Sequence, residues 1–386
     1  MRLTDCKPGL VESGRPFLYG LLVNRNTEGT VIFMKTASAK IFLIKAIKGL
    51  GIALSVIILL TVILAAGTYS YNSVSLKKEA ALIEHKGQYV EVDGHRMNIY
   101  AAGNGEKTLV FMAGSGVPAP ILEFRPLAEI LGKKYQTVII EKFGYGYSDE
   151  IDGERTVGII TENDREALKT AGIEGPYILC PHSASGFEAL WWANKYPEEV
   201  EAIIGLDMAV PEEYDYMGVD WNTLTPMDPE QWADDNRLYD FWLYKIGLMR
   251  YMNAQEIFPP SGSDELTKEE KNEYKALMYT KYALGSSAAM NHEQWTTQRQ
   301  IDEMKELCDA SVPNIPTLLF VSNGKYLAQM VGKPENWILI HKNYISNISE
   351  GRLIELDCGH WVHLDEKDRV SEEMISFIDT LNAEEQ

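Results

Sequence analysis

A long stretch without a charged residue separates the N-terminal segment from the rest of the chain. No Asp, Glu, Lys or Arg occurs between Lys48 and Lys77, and ten of the residues from Ile52 to Leu64 are Ile, Leu or Val. At about −0.3 to −0.6 kcal/mol each on the insertion scale, these ten residues contribute roughly −3 to −6 kcal/mol to membrane insertion. About 20 apolar residues suffice to cross a bilayer as a helix. We therefore predict a transmembrane helix over residues 50–70, rather than a buried core helix, because core helices seldom lack a polar face over such a length.

The residues on either side of this stretch predict its orientation. Residues 1–50 contain eight Lys or Arg against three Asp or Glu, although the whole chain has a formal charge of −20. Because basic flanks stay on the cytoplasmic side, we expect a single-pass protein of the cell membrane, with its N-terminus in the cytoplasm and the remainder outside. The small residues at 65–67 also fit a cleaved signal peptide, which would release a secreted protein. Within the basic segment 1–49, residues 1–33 are expected to be a misassigned start or a disordered extension.

Charge and cysteine usage exclude several functions. With 36 basic and 56 acidic side chains, the chain repels phosphate, so nucleic acid is not an expected partner. The four cysteines form no CxxC pair, and the seven histidines form no HExxH pattern. We expect neither a disulfide framework nor a metal site.

The rest of the chain alternates between short apolar strands and helices. After a linker at 71–85, this alternation runs through residues 86–210 and resumes over 312–386. It predicts an α/β fold with a mostly parallel central sheet flanked by helices. Residues 211–311 are instead rich in aromatic residues, Met and acids at helical spacing, so we predict a helical segment inserted into the sheet domain.

Local signals predict two further features of this domain. Asp93-Gly94 separates two alternating stretches and predicts a hairpin turn. In the helix TENDREALKTAGI, Thr161 is the candidate N-cap and Gly172 marks the C-terminal end.

A serine between a buried strand and an apolar helix is the candidate nucleophile. Ser183 lies in the stretch PHSASG, between the strand YILC and the helix FEALWWAN. A tight strand-to-helix turn lifts a serine hydroxyl above the sheet, provided that its neighbours are small. The usual pattern is GxSxG, and here Pro181 and Ser185 stand at the two glycine positions.

A serine nucleophile needs a base, and the base needs an acid. His360 follows the last apolar strand and is the candidate base, whereas Asp207 closes the strand AIIGLD and is the candidate acid. Glu335, in the loop after a later strand, is a weaker alternative, and Asp357 is close to His360 in sequence. The order Ser183, Asp207, His360 is the one expected for a strand–turn–helix nucleophile of this kind.

Two other histidines lie near these residues in sequence. His363 shares the loop of His360, but no nearby Cys or third His completes a zinc site. His182 precedes Ser183 and is expected to be a packing residue rather than the base.

The candidate oxyanion site consists of two backbone N–H groups. Ala184, directly after the nucleophile, supplies one, and we assign the other to Ser115 in the small-residue loop AGSG.

From about residue 88 to 381 the chain resembles the α/β-hydrolase superfamily, in particular the lid-bearing branch with proline iminopeptidases and bacterial esterases. The resemblance rests on VFMAGSG, EKFGYGYSD, PHSASG and GHWVHLDE. Family members commonly have His-Gly in place of Ala113-Gly114, and Asp-Arg-x-Gly in place of residues 141–144. The resemblance implies an α/β-hydrolase fold whose inserted helices form a cap, and a hydrolase without metal or organic cofactor.

The sequence therefore predicts a membrane-anchored serine hydrolase acting on a small-molecule ester, with an amide or N-terminal aminoacyl bond as the second choice. The tryptophans of the cap (Trp221, Trp232, Trp242 and Trp295) would line an apolar pocket or only pack the cap onto the core. The alternative from another class is a catalytically silent α/β-hydrolase fold that serves as a binding or surface-interaction protein.

Overall fold

The computed structural model describes residues 29–228, 237–238, 241–254, 265–283, 293 and 297–384. The chain forms two compact units, residues 1–64 and residues 65–386. Helix α1 (Gly29–Glu79) supplies the described part of the first unit, and its last turns belong to the second. Most of residues 1–33, predicted as a misassigned start or an extension, lie outside the described residues.

Helix α1 is longer than the predicted membrane span. Its segment Ala39–Glu79 is long and apolar enough to cross a membrane, a property shared by membrane anchors and signal sequences. The helix also continues through residues 71–79, which were predicted as linker. No Gly or Pro occurs from Thr68 to Glu79, so nothing in the local sequence ends the helix there.

The second unit is built on one sheet of eight strands, ordered β1-β2-β4-β3-β5-β6-β7-β8. The strands β1 and β2 pair antiparallel, as do β2 and β4, and all remaining neighbours are parallel. This confirms the α/β fold with a mostly parallel sheet. The strands are β1 (Gln88–Val92), β2 (His95–Ala102), β3 (Thr108–Met112), β4 (Gln136–Glu141), β5 (Tyr177–Pro181), β6 (Val200–Leu206), β7 (Thr317–Val321) and β8 (Gly351–Glu355).

Helices cover both faces of this sheet. Every residue of β3, β5 and β7 is buried, as the continuous apolar runs predict for strands enclosed on two sides. The helices packed around the sheet are α2 (Pro120–Leu131), α3 (Val157–Thr170), α4 (Ser185–Lys195), and, after the insertion, α9 (Ala328–Val331), α10 (Pro334–Ile345), α11 (Val362–Asp365) and α12 (Lys367–Glu384).

The chain between β6 and β7 contains no strand in its described part. It forms α5 (Glu213–Met217), a π-helical turn (Phe241–Lys245), α6 (Leu248–Ala254), α7 (Lys268–Ala283) and α8 (Gln298–Asp309). Helix α7 contacts the core through the buried carboxylate of Glu273, which accepts hydrogen bonds from Glu84 N at 2.9 Å and Tyr147 Oη at 2.6 Å. We call the segment from residue 211 to 311 the cap.

Two turn signals have different outcomes. Asp93 and Gly94 have φ angles of 51° and 78° and connect β1 to β2, so the predicted hairpin is confirmed. The predicted N-cap at Thr161 is wrong, because α3 begins one turn earlier and is capped by Thr156, whose hydroxyl accepts from Ile159 N. Thr161 is inside the helix, where its hydroxyl donates to Val157 O at 2.9 Å. Both threonines can make a local hydrogen bond, and burial of Val157, Gly158 and Ile160 against the rest of the unit agrees with the earlier start.

Candidate active site

The turn between β5 and α4 holds Ser183 in a strained conformation. Its φ of 54° lies in the left-handed region, which costs a non-glycine residue about 1 kcal/mol. The loop after β3 approaches closely, since a Cβ added to Gly114 would lie 2.7 Å from Ser183 Cβ. Strain of this kind persists only where the surroundings hold it, and it accompanies functional turns.

Ser185 and Gly186 explain how the turn departs from GxSxG. The Ser185 hydroxyl accepts from His182 N at 2.9 Å and lies 2.8 Å from Met112 O, so a serine at this position connects the turn to β3. The close approach falls one residue later, because a Cβ on Gly186 would lie 2.1 Å from Ala209 O. The glycine requirement has therefore moved from position 185 to position 186.

A buried carboxylate orients the candidate base. Asp207 Oδ2 lies 2.6 Å from His360 Nδ1, while Asp207 Oδ1 accepts from Ser322 N at 2.7 Å and from Trp337 Nε1 at 2.8 Å. Burial alone raises the pKa of Asp207, but the hydrogen bonds from His360, Ser322 and Trp337 outweigh it and hold the pKa below its usual value. A carboxylate kept ionised beside Nδ1 fixes the imidazole tautomer and leaves Nε2 to act as a base.

The competing acids lie elsewhere. Glu335 is exposed in the first turn of α10, and Asp357 accepts a hydrogen bond from Asn323 Nδ2 at 3.3 Å. Among the described carboxylates, Asp207 is the one that hydrogen-bonds the His360 ring. The His360 ring also stacks on Tyr326, with the centroids 5.1 Å apart.

The loops after three strands meet at the carboxyl edge of the sheet. Ser183 follows β5, Asp207 follows β6, and His360 follows β8. Ala209 N donates to Ser183 O at 2.8 Å, and His182 Nε2 lies 3.2 Å from the His360 carbonyl. The serine turn thus contacts the loop of the candidate acid and the loop of the candidate base.

The two candidate oxyanion residues line one small cavity. Ser115 and Ala184 both border a space of about 140 Å³. The next N–H along that loop is engaged, because Gly116 N donates to Tyr145 Oη at 3.1 Å. Tyr145 in turn donates to Glu293 Oε2 of the cap at 2.8 Å, so the cap contacts the oxyanion loop through one hydroxyl.

Buried charges border this cavity together with apolar side chains such as Val157, Ile160, Phe187 and Met304, and no tryptophan does so in the described part of the chain. Lys142 Nζ lies 2.6 Å from Glu188 Oε1 and 3.9 Å from Glu293 Oε2, and Arg155 lines the same space. Burial alone lowers the pKa of Lys142, but the attraction of Glu188 and Glu293 raises it above the ordinary value. The lysine therefore stays charged, whereas burial raises the pKa of Glu293.

The cap tryptophans have separate surroundings. Trp221 packs edge-on against Tyr214 with centroids 5.0 Å apart, and Trp242 is 38% exposed. Trp232 and Trp295 lie outside the described residues. Of the two interpretations of the cap aromatics, the packing role fits Trp221.

The sequence analysis did not predict the charged residues at this cavity, although the sequence contains a signal for them. Lys142 directly follows the apolar strand TVIIE, and Glu188 interrupts the apolar helix around FEALWW. A single charge on an otherwise apolar face is seldom buried unless it is paired. Two such charges predict a buried ion pair once the strand and the helix are known to be neighbours.

One group of described residues has suitable donor atoms for a metal ion. Glu123, His182 and His363 each offer a ligand atom, and these atoms lie within 4.8 Å of one another. All three are buried, and burial lowers the pKa of His363 to about 3, so its ring is neutral.

His182 fills space between the serine turn and the His360 loop, which agrees with the packing role expected from its position.

Comparisons with known proteins place this architecture in one class. A thermophilic esterase from Thermogutta terrifontis aligns with 77% of this chain and 99% of its own, with a TM-score of 0.53 and 15% identity. An epoxide hydrolase from Bacillus megaterium aligns with 76% and 100%, with a TM-score of 0.53 and 20% identity. The chain has the α/β-hydrolase fold, which at these identities defines the architecture and not the substrate.

A closer relative defines the family. The uncharacterized protein YbdG of Bacillus subtilis is 35% identical over 251 residues, which cover 64% of this chain and 72% of YbdG. This chain belongs to the same family as YbdG. No protein-family model matches this chain.

The close approach at Gly186 predicts that its replacement is costly. Gly186→Ala should lower the free energy of unfolding by about 1–3 kcal/mol, because the new methyl group collides with the Ala209 carbonyl. Gly67→Ala is the control, since a Cβ there meets nothing within 4 Å. Thermal unfolding in detergent measures both. Equal melting temperatures for the two variants would contradict the assignment.

A buried acid beside the site predicts a pH-dependent stability. Burial raises the pKa of Glu213 to about 8 from its ordinary 4.5. The folded protein then holds this proton more tightly than the unfolded chain, so stability falls as the pH rises from about 4.5 to about 8.

Glu213→Gln removes that loss. The melting temperature of the variant minus that of the wild type should increase by about 2 °C or more between pH 5 and pH 8. Exposed Glu372 offers the control substitution Glu372→Gln, for which the difference should stay constant. A constant difference for Glu213→Gln as well would contradict the burial argument.

Proposed function

We propose that this protein is a membrane-anchored serine hydrolase that cleaves a small ester through an acyl-enzyme. The observation that carries the proposal is the 2.6 Å contact between Asp207 Oδ2 and His360 Nδ1, beside a turn that holds Ser183 at positive φ. A buried, ionised carboxylate that hydrogen-bonds an imidazole orients the ring and stabilises the imidazolium formed when the ring accepts a proton.

The proposed reaction has two halves. Ser183 Oγ attacks the ester carbonyl while His360 Nε2 takes its proton, and Asp207 stabilises the imidazolium. The N–H groups of Ser115 and Ala184 hold the oxyanion of the tetrahedral intermediate. His360 then returns the proton to the departing alcohol. Water attacks the acyl-enzyme in the same manner, releasing the acid and restoring Ser183.

The cavity that borders the candidate oxyanion residues favours a small substrate. Its volume of about 140 Å³ lies below the roughly 300–1,000 Å³ of common ligand pockets. Lys142, Glu188 and Arg155 at its wall are themselves buried, so a polar substrate group there would hydrogen-bond to charges that have little contact with water, which favours a polar group. We therefore favour a short or polar acyl group, with an amide or N-terminal aminoacyl bond as the second choice.

The membrane anchor and the domain division belong to the same proposal. Residues 50–70 cross the membrane once, with the basic segment 1–49 in the cytoplasm and the hydrolase outside. The core consists of residues 86–210 and 312–386, and the cap of residues 211–311. Cleavage after residues 65–67 would instead release a secreted enzyme, which an intact-mass measurement of the native protein distinguishes.

The choice of acid is tested by two matched substitutions. Asp207→Asn should reduce turnover at least about 100-fold, because the amide cannot stabilise the imidazolium and favours the wrong tautomer. Glu335→Gln should leave turnover unchanged, since Glu335 is exposed in α10. Hydrolysis of a chromogenic acetate ester by both folded variants provides the measurement. If only Glu335→Gln lost turnover, the acid would be Glu335 and the assignment of Asp207 would be wrong.

The size of the acyl group is tested with a series of esters. Acetate and butyrate esters should be cleaved faster than the octanoate ester, by about tenfold or more in kcat/KM, because a longer chain exceeds the cavity. Ser183→Ala serves as the background control in every assay. Faster cleavage of octanoate would overturn the small-substrate proposal. Absence of Ser183-dependent cleavage across esters and aminoacyl amides would favour the catalytically silent alternative.

A further inference from the structure

The end of helix α1 contacts the cap. We call residues 65–79 of α1 the stem. Asn72 of the stem is buried, and its Nδ2 donates to the carbonyls of Tyr244 and Lys245 at 2.7 and 3.2 Å. Arg250 of α6 donates to Asn72 Oδ1 and forms an ion pair with Glu79. The stem is therefore part of the packing of the hydrolase unit and not a free linker.

Backbone geometry makes this contact specific. The chain passes over Asn72 at Gly247, whose φ is 90° and where an added Cβ would lie 2.8 Å from Asn72 Cβ. The carbonyls that Asn72 satisfies belong to the π-helical turn Phe241–Lys245. Residues 244–250 of the cap are consequently held at a fixed level along the stem.

The position of Asn72 along α1 coincides with the end of the apolar stretch. Asn72 follows Tyr69 and Tyr71, which are exposed, and lies about 4.5 Å beyond Tyr69 at the rise of an α-helix. Tyrosines are enriched where a membrane helix leaves the hydrocarbon, because one end of the ring is apolar and the other polar. Lys77 and Lys78 follow one to two turns later, as expected for residues reaching the headgroups.

The cap segment 237–254 presents large apolar side chains to the outside. The exposed residues, between 38% and 72% accessible, are Leu238, Phe241, Trp242, Leu248 and Tyr251. The mixture of Trp, Tyr, Phe and Leu is the composition of interfacial segments. The segment also carries Arg237 and Lys245 against one acid, Asp240, in a chain whose formal charge is −20, while the charge of Arg250 is paired with Glu79. Its local charge therefore suits an anionic lipid surface.

We propose that the described residues of this segment, 237–238 and 241–254, insert into the headgroup layer of the same membrane that α1 crosses. The occupant of the exposed apolar face is the lipid interface, and the contacts of Asn72 and Arg250 set the depth of the cap. The proposal rests on the membrane anchoring put forward above and is independent of the chemistry at Ser183. It assigns to Phe241, Trp242 and Leu248 a role in lipid contact, with no direct contact to substrate.

Quenching of tryptophan fluorescence by brominated lipids tests this proposal in the full chain. The protein is placed in vesicles of phosphatidylcholine and phosphatidylglycerol, with or without bromine on the acyl carbons nearest the headgroup. Wild type, Trp242→Phe and Trp221→Phe are compared, so that subtraction isolates the emission of one indole. Trp221 is the matched control, because it belongs to the same cap and packs against Tyr214.

The emission lost in Trp242→Phe should be quenched by about twofold or more in brominated vesicles, since an indole at the interface lies within contact distance of those carbons. The emission lost in Trp221→Phe should be unaffected. Equal quenching of the two, or none for Trp242, would overturn the proposal. Alkaline extraction of the same vesicles distinguishes failure of membrane anchoring from failure of cap insertion. Release of the protein would refute the anchoring. Retention of the protein with unquenched Trp242 would refute only the insertion of the cap.

Discussion

The hydrogen bond between Asp207 and His360 is the interaction on which the proposed site depends. An ionised carboxylate without solvent costs several kcal/mol unless its oxygens are satisfied. Asp207 meets this condition with donors from three places, namely Ser322 after β7, Trp337 in α10 and His360 after β8. The carboxylate therefore needs β6, β7 and β8 in register, and the correct sheet order is a condition for an oriented imidazole.

The serine turn is fitted to the same edge. Ser183 is held at positive φ by Gly114 on one side and by the Ala209 loop on the other. Ser185 connects the turn to β3 through Met112, which compensates for the missing glycine of the usual pattern. Each contact joins neighbouring strands of the parallel sheet, so the geometry at the site is a consequence of strand order and not of the turn alone.

Much of this arrangement follows from the sequence, and the exceptions have physical causes. The buried strands are continuous apolar runs, so their ends could be predicted, and with them the positions of Ser183, Asp207 and His360 at one edge. The N-cap of α3 could not, because Thr156 and Thr161 both offer a hydroxyl and tertiary packing selects the earlier one. Residues 71–79 contain no helix breaker, so the continuation of α1 is compatible with the local sequence, but the contacts of Asn72 and Glu79 with the cap, 172 and 171 residues further along the chain, have no local signal. The charged cavity depends on Lys142 and Glu188 becoming neighbours across β4 and α4.

Described contacts join the stem to the cap and the cap to the proposed catalytic region. Asn72 and Arg250 hold the stem against one part of the cap, and Glu293 of another part reaches Tyr145 beside the oxyanion loop. In the proposed anchored hydrolase, the cap would lie at the lipid surface, and the small cavity, with charged and apolar residues in its wall, would select the substrate. The anchor would then determine location rather than the chemistry of the substrate.

The most direct test of the central proposal is the identification of the residue modified by a fluorophosphonate. Full-length protein in detergent is labelled, digested and analysed by peptide mass spectrometry. We predict a single stoichiometric adduct on Ser183, abolished when the protein is unfolded before labelling. An adduct on Ser115 or Ser185 instead, or an unmodified Ser183 in folded protein that binds the probe elsewhere, would contradict this prediction.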